Sequence, residues 1–258
     1  MYNTLKLTYE DKIATLTLNR ADRRNAINQA MIDELLEALA EVEQSAAQVL
    51  IVCGEGKAFC AGMDLEDLRT LAAQTEEENH RHSQRIAALL RALYEFTKTT
   101  IAAVHGAATA AGAGLATLCD FTLASPEARF GYPEVRIGFV PAIVAALLVR
   151  QVAEKHAREL LLTGRIIGAH EAYRIGLVNE MVEEGELHQR AHRLAKELLE
   201  NSPASLRATK AVLRKFEGEA LSRDLEIGME ANAEMRQTAD FKEGVASFLE
   251  KRKARWSE

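Results

Sequence analysis

The chain has 258 residues, of which 48% are hydrophobic, and a formal net charge of −6. This length and composition are sufficient to bury a sizeable core as one domain, with room for a helical extension. The acidic balance argues against a nucleic-acid-binding surface. No apolar run reaches the roughly 20 residues that a membrane-spanning helix needs. We therefore expect neither a nucleic-acid partner nor membrane association.

The three cysteines, Cys53, Cys60 and Cys119, lie among apolar or small residues. Their spacings do not match those of metal ligands, so the sequence predicts no metal site. Cys60 is expected to be a small buried filler rather than a nucleophile. An odd, low cysteine count without a signal peptide favours a reducing compartment, so the expected location is the cytoplasm.

Strands and helices are predicted to alternate along the first half of the chain. Residues 4–7 and 13–18 have the pattern of an antiparallel hairpin, and Asn28 is suited to cap the helix that follows. Continuous apolar runs are typical of parallel strands that are covered on both faces. Such runs occur at 49–53, 101–104 and 121–124. This alternation indicates an α/β fold with a mainly parallel sheet and covering helices.

The polar stretch 74–84 predicts an exposed start to a helix, so His80 and His82 are expected to face solvent. The sequence is helical in character from 187 onward, and Pro203 is suited to the first turn of a helix. Charged helices with a modest apolar stripe are predicted near 222–235 and 240–255. Such a stripe packs against a core or another subunit.

This change in character predicts two regions of the chain, residues 1–186 and a helical region over residues 187–258.

Two segments rich in small residues, 57–65 and 105–114, each follow an apolar run. Small side chains let backbone N–H groups approach a ligand, and a helix N-terminus adds its positive dipole end. Two such N–H groups converging on one carbonyl oxygen would form an oxyanion hole. Downstream, Glu134 follows a proline within an apolar neighbourhood, where desolvation would raise the pKa of its carboxyl group. Together these features indicate chemistry through an enolate.

An ordered series of motifs extends over almost the whole chain. The motifs are Asn19-Arg20, Arg24-Asn25-Ala26-Ile27-Asn28, Ala58-Phe59-Cys60-Ala61-Gly62-Met63-Asp64-Leu65, Val104-His105-Gly106, Leu118-Cys119-Asp120, Phe130-Gly131-Tyr132-Pro133-Glu134, Leu162-Thr163-Gly164-Arg165, Gly176-Leu177-Val178, and Glu243-Gly244 with Glu250-Lys251-Arg252. In this order they resemble the crotonase superfamily, the enoyl-CoA hydratase/isomerase family. The resemblance implies a crotonase-type ββα spiral core, which is the catalytic core and covers residues 1–186. It also implies a C-terminal helical trimerisation region, which covers residues 187–258 and is the oligomerisation region.

The resemblance also implies roles for individual residues. The backbone N–H groups of Met63 and Ala111 would be the two oxyanion donors, and Glu134 would move protons or activate water. The substrate would be an acyl-CoA, with no separate cofactor because CoA is part of the substrate. The expected assembly is a homotrimer or a dimer of trimers.

The implied substrate-binding residues line the CoA path, lie near its phosphates or shape the acyl pocket. They are Arg23, Arg24, Ala61, Asp64, Leu65, Gly114 and Lys251. Either Arg23 or Arg24 is placed near a phosphate. Lys251 resembles a terminal lysine that reaches a phosphate, sometimes from a neighbouring subunit.

Two departures from the family pattern leave the reaction open. Hydratases of the family commonly have a second glutamate where this chain has Gly114, which is expected to widen the pocket beside Glu134. The apolar turn at 137–144 resembles a bacterial branch that acts on branched or carboxylated enoyl-CoAs such as 3-methylglutaconyl-CoA, in leucine degradation. A hydratase, an isomerase that uses Glu134 alone, and a non-catalytic acyl-CoA-binding protein are the alternatives, and the turn favours the hydratase.

Overall fold

The structure is a computed structural model that describes residues 2–71, 74–183, 185–217 and 219–257. The strands are β1 (Leu5–Glu10), β2 (Ile13–Leu18), β3 (Val49–Gly54), β4 (Thr99–Val104), β5 (Ala107–Thr109), β6 (Phe121–Ala124), β7 (Arg129–Gly131), β8 (Ile166–Gly168) and β9 (Glu180–Met181). The helices are α1 (Gln29–Gln44), α2 (Leu65–Leu71), α3 (Glu76–Tyr94), α4 (Ala111–Thr117), α5 (Ala142–Leu148), α6 (Glu154–Thr163), α7 (Ala169–Arg174), α8 (Leu187–Leu199), α9 (Pro203–Glu217), α10 (Ala220–Gln237) and α11 (Ala239–Leu249).

Within the described residues, the larger sheet has six strands in the order β1-β2-β3-β4-β6-β9. β1 and β2 form the predicted antiparallel hairpin, and the remaining pairs are parallel. Every residue of β3 and β4 is buried, as expected for central strands that are covered on both faces. The predicted α/β architecture is therefore confirmed.

The two faces of this sheet are covered by different helices. On one face, α1 begins at Asn28, whose side chain accepts a 3.0 Å hydrogen bond from the Met31 N–H, and packs into the main core. On the other face, α8 packs Ala191 and Ala195 against the sheet residues Ile51 and Ile101. The predicted regional boundary at 186 thus falls just before a helix that covers the sheet.

A second sheet of the described residues was not predicted from the sequence. It has three short strands in the order β5-β7-β8. β5 and β7 are parallel, with Ala108 opposite Phe130. Cys60 forms a parallel bridge to Ala108 on the opposite edge of β5. Strands of three residues are too short to show an alternating pattern, so tertiary pairing decides them.

The C-terminal helices close the fold over α3 and the segment after β7. α10 lies against α3 and α5, and α11 lies against the 3-10 helix Pro133–Ile137. The predicted last helix was too long, because α11 ends at Leu249 and Lys251 adopts a positive φ of 56°. None of the helices in the described part of the chain is long and apolar enough to cross a membrane.

Candidate active site

Three parallel segments end at the same edge of the small sheet and place the three predicted catalytic residues. The bridge at Cys60, the strand β5 and the strand β7 lie side by side. Met63 and Ala111 come three residues after Cys60 and Ala108, and Glu134 comes four residues after Phe130. Because parallel segments point their carboxyl ends in one direction, the loops that follow them converge. All three residues line one cavity.

The two proposed donor loops are held against each other by backbone packing. The Thr109 hydroxyl donates a 2.9 Å hydrogen bond to the Ala61 carbonyl, and a Cβ on Gly62 would stand 3.1 Å from the Ala110 Cβ. Ala110 has a φ of 53°, and its N–H donates to the Gly131 carbonyl at 2.9 Å. Within the described residues, the N–H groups of Met63 and Ala111 make no backbone hydrogen bond. They remain available to a ligand.

Glu134 lies on the 3-10 helix Pro133–Ile137, which has a proline at its start and ends at Gly138. α11 packs closely against this 3-10 helix, because a Cβ on Gly244 would lie only 2.2 Å from the Ile137 carbonyl oxygen. The Oε2 atom of Glu134 is buried and has no hydrogen-bond partner. Burial raises the pKa of Glu134 to about 7, as its apolar neighbourhood predicted. A carboxyl group with this pKa can take up or release a proton near neutral pH.

The cavity has a volume of about 430 Å³ and is mainly apolar. Its walls come from the loops after β3, β5 and β7, from β8, from α2, α3, α5, α10 and α11, and from the turn at 137–144. Among the described residues, Glu134 is the only carboxylate on its wall. The apolar part of the wall is formed by these side chains: Met63, Leu68, Leu71, Ile86, Ile137, Phe139, Val140, Ile143, Val144, Ile166, Phe241 and Phe248.

A buried polar group on the cavity wall was missed by the sequence analysis. Arg236 and Asn232 of α10 line the cavity, and Arg236 is 2% exposed. The stretch 74–84 is not uniformly exposed as predicted, because Asn79 and Ser83 are fully buried. His82 is also partly buried and lies 3.3 Å from Arg236, so the prediction that it faces solvent was wrong.

A signal for Arg236 was present in the sequence. The inward stripe of α10 repeats at helical spacing and is interrupted by polar side chains where it reaches the cavity. The buried residues of α10 are Leu221, Leu225, Gly228, Asn232, Ala233 and Arg236.

Gly114 lies in α4, buried beneath the cavity wall. It is not among the residues that line the cavity in the described structure. A Cβ at this position would stand 3.2 Å from Leu90 Cδ2 and 3.3 Å from Val144 Cγ1. The space that a longer side chain would need is thus filled by two apolar side chains. The substrate-binding role of Gly114 stays a prediction.

The predicted CoA-binding segment after β3 is ordered by its own contacts. Ala61 lines the cavity, and its N–H donates to the Arg24 carbonyl at 3.0 Å. Asp64 is buried and forms an ion pair with Arg20 at 2.9 Å, so its carboxylate orders the loop rather than facing the cavity. The backbone of Leu65 begins α2, whereas its side chain lies outside the described part of the chain.

The basic residues predicted near phosphate lie on the surface. Arg23 is exposed and approaches Glu66 at 3.6 Å, and Arg24 has a positive φ of 52°. Lys251 is exposed just beyond the end of α11. None of these three side chains lines the cavity, and their contact with CoA stays a prediction.

Cys60 behaves as the sequence suggested. Its side chain is fully buried, and burial raises the pKa of its thiol to about 12. A thiol with this pKa stays protonated at neutral pH and is not an activated nucleophile. It instead packs under α4, where a Cβ on Gly112 would lie 2.7 Å from its Sγ atom.

Comparison with known proteins identifies the family. The sequence model of the enoyl-CoA hydratase/isomerase family matches residues 8–258. The chain belongs to this family. A Thermus thermophilus protein provisionally named an enoyl-CoA hydratase is 44% identical over 95% of this chain and 97% of that protein. A crotonyl-CoA hydratase of Syntrophomonas wolfei is 36% identical over 98% of this chain and 97% of that protein.

Solved structures of the same family match the fold of this chain. The crystal structure of an enoyl-CoA hydratase/isomerase from Xanthobacter autotrophicus matches with a TM-score of 0.91 and 29% identity, covering 100% of each chain. The chain therefore has the crotonase fold with C-terminal helices, which confirms the fold that the motifs implied.

Proposed function

We propose that this member of the enoyl-CoA hydratase/isomerase family adds water across the 2,3 double bond of an acyl-CoA thioester. The observation that carries the proposal is one cavity lined by Met63, Ala111 and Glu134, whose buried Oε2 atom has no hydrogen-bond partner. The names of the relatives from Thermus thermophilus and Syntrophomonas wolfei support a hydratase. The bound CoA is part of the substrate, and no further cofactor takes part in the proposed reaction.

In the proposed mechanism the thioester carbonyl oxygen accepts hydrogen bonds from the Met63 and Ala111 N–H groups. The ionised Glu134 takes a proton from water as the water oxygen bonds to C3 of the substrate. The electrons of the double bond move toward the thioester oxygen, and the two N–H groups stabilise the resulting enolate. Glu134 then returns its proton to C2. One carboxylate thus serves as base and then as acid, so no second glutamate is needed.

An isomerase is the second candidate, because Glu134 is the only carboxylate on the described cavity wall. The same residue could remove a proton from C2 of a 3-enoyl-CoA and return it to C4, with the same enolate between the two steps. A non-catalytic acyl-CoA-binding protein would have no use for a carboxyl group whose pKa is raised to about 7.

The apolar turn at 137–144 supports a branched acyl chain, as in 3-methylglutaconyl-CoA, and with it a role in leucine degradation. In the structure this turn contributes Phe139, Val140 and Ile143 to the cavity wall. These side chains would contact the acyl chain near Glu134 and so select its shape.

We also propose a trimer, or a dimer of trimers, in the cytoplasm. The exposed apolar side chains Val212, Leu213 and Phe216 on α9 support burial against another subunit. The three cysteines are unpaired, which fits a reducing compartment.

A parallel assay separates the candidate functions. Crotonyl-CoA, 3-methylglutaconyl-CoA and a 3-enoyl-CoA are each incubated with the enzyme, and the loss or gain of the conjugated double bond is followed by absorbance. Hydration of either 2-enoyl-CoA supports the hydratase. Conversion of the 3-enoyl-CoA alone would make the chain an isomerase, and binding without turnover of any thioester would make it a binding protein.

A further inference from the structure

Arg236 is a buried cation on the wall of the cavity that contains Glu134. Its Nη1 donates a 2.8 Å hydrogen bond to the Asn79 carbonyl, and its Nη2 lies 3.3 Å from Nδ1 of His82. Its Cζ atom lies 5.2 Å from the centre of the Phe139 ring. Two neutral groups and an aromatic face therefore surround the guanidinium.

Arg236 forms no ion pair with any described residue, although its relative exposure to solvent is only 2%. Its Nε atom and the Oδ1 atom of the neighbouring Asn232 are buried without hydrogen-bond partners. Burial lowers the pKa of Arg236 to about 10, so the side chain stays charged at neutral pH. Burial and the nearby Arg236 lower the pKa of His82 to about 4, so His82 is neutral and can accept a hydrogen bond.

Among the described residues, no ion pair joins Glu134 to Arg236, although both line the same cavity. Burial is the main cause of the pKa shift of each group. A substrate whose thioester lies at Met63 and Ala111 would present C3 to Glu134 and direct the rest of its acyl chain toward the remaining walls.

A buried, unpaired guanidinium is costly, and it is retained where an anion binds to it. A planar guanidinium with a free Nε–H matches a carboxylate, which it can bind through two parallel hydrogen bonds. Only the Nδ2 amide group of the neighbouring Asn232 could donate to such a group, because its Oδ1 atom is an acceptor. A purely apolar acyl chain would leave the Nε–H of Arg236 without a partner in the closed complex.

We propose that Arg236 binds an ionised carboxylate at the far end of the acyl chain, so that the substrates are 2-enoyl thioesters of dicarboxylic acids. This inference rests on the proposed function and adds the residue that selects the substrate. Arg236 acts in specificity and takes no part in proton transfer.

The test compares two thioesters of equal chain length, 2-hexenoyl-CoA and 2-hexenedioyl-CoA, which differ in a methyl group and a carboxylate. We expect the wild-type kcat/KM to favour the dicarboxylic thioester by about 100-fold, since a site built for a polar group strongly disfavours the analogue that lacks it. Arg236→Met should abolish this preference, and Arg236→Lys should keep part of it. The control Arg223→Met removes an exposed arginine of the same helix and should leave both values unchanged.

Each other outcome overturns the inference. An equal loss on both thioesters in Arg236→Met would assign Arg236 to the packing of α10 on α3 or to a CoA phosphate, because both substrates carry the same CoA. A wild-type preference for 2-hexenoyl-CoA would reject the dicarboxylic class while the hydratase stands. If the wild type hydrates crotonyl-CoA but neither of these two thioesters, the inference fails while the hydratase stands. If it hydrates none of the three, the proposed function fails, and the inference that rests on it fails as well. If Arg236→Met does not fold, the inference is tested by the ratio of kcat/KM for the two thioesters in the wild type and in Arg236→Lys.

Discussion

Gly62 lies so close to Ala110 that a Cβ atom on Gly62 would stand 3.1 Å from the Ala110 Cβ and 3.0 Å from the Thr109 carbonyl oxygen. Gly62 also has a φ of 90°, a conformation that residues with a side chain rarely adopt. This contact joins the two loops that continue into Met63 and Ala111, which line the cavity and are the proposed oxyanion donors. The spacing of the proposed oxyanion donors therefore depends on the absence of one methyl group.

Gly62→Ala should separate the two loops and lower kcat by about 100-fold, because loss of one oxyanion donor has an effect of this size. Steady-state kinetics with crotonyl-CoA measures the change. The matched control is Gly176→Ala, which has a similar φ of 83° but no atom within 4 Å of the added Cβ. It should lose stability through backbone strain while keeping its kcat. Equal kcat values for the two variants would contradict the oxyanion assignment.

Glu134→Gln keeps the size of the side chain but removes the base. Turnover of every 2-enoyl-CoA should fall by about 100-fold or more, while the affinity for the thioester, measured by calorimetry, stays within a few-fold of wild type. The control Glu127→Gln changes an exposed carboxylate outside the cavity and should have no effect. Unchanged turnover in Glu134→Gln would require a different base.

The pH dependence of hydration should report the raised pKa of Glu134, which is about 7. Only the ionised carboxylate can accept the proton from water, so kcat/KM should rise about tenfold per pH unit below pH 7 and level off above it. Crotonyl-pantetheine, which has no phosphate, removes titration of the substrate from the profile. The residual activity of Glu134→Gln should not show this rise of kcat/KM with pH below pH 7. A profile in the wild type that is flat between pH 5.5 and 8 would exclude Glu134 as the titrating base.

Substitutions at Gly114 should show that there is no room for a second carboxylate. Gly114→Ala needs Leu90 and Val144 to move by only a few tenths of an ångström, and should cost about 1 kcal/mol of unfolding free energy. Gly114→Glu must displace both side chains and bury a carboxyl group, and should cost roughly 3 kcal/mol or more. Urea denaturation measures both values. A Gly114→Glu variant that is as stable as wild type and hydrates crotonyl-CoA faster would show that the site accepts the second glutamate.

The proposed assembly can be tested through α9. Light scattering at micromolar concentration should give the mass of three or six chains. Phe216, which is 79% exposed in the single chain, is expected to lie in the subunit contact, so Phe216→Glu should weaken the assembly. Lys215→Gln makes the same change of −1 in net charge at a neighbouring exposed position and serves as the control. A monomeric wild type would contradict the proposal.

Local sequence patterns were sufficient for five of the six described strands of the larger sheet, all except β9, and for much of the helical layer. The alternation in Ile13–Leu18, the continuous apolar run of β3 and the capping side chain of Asn28 each reflect a preference that acts within a few residues. The buried surroundings of Glu134 could likewise be predicted, because its apolar neighbours are also its neighbours in sequence.

Tertiary structure alone decided the small sheet and the polar wall of the cavity. β5, β7 and β8 are too short to carry a pattern, and their pairing depends on residues that lie far apart in the chain. Arg236 and His82 are separated by 154 positions, and a charged residue and a histidine in polar helices ordinarily face solvent. They are buried because α10 packs on α3. The sequence determined which residues could perform the chemistry, whereas the packing of distant helices decided which polar groups line the cavity.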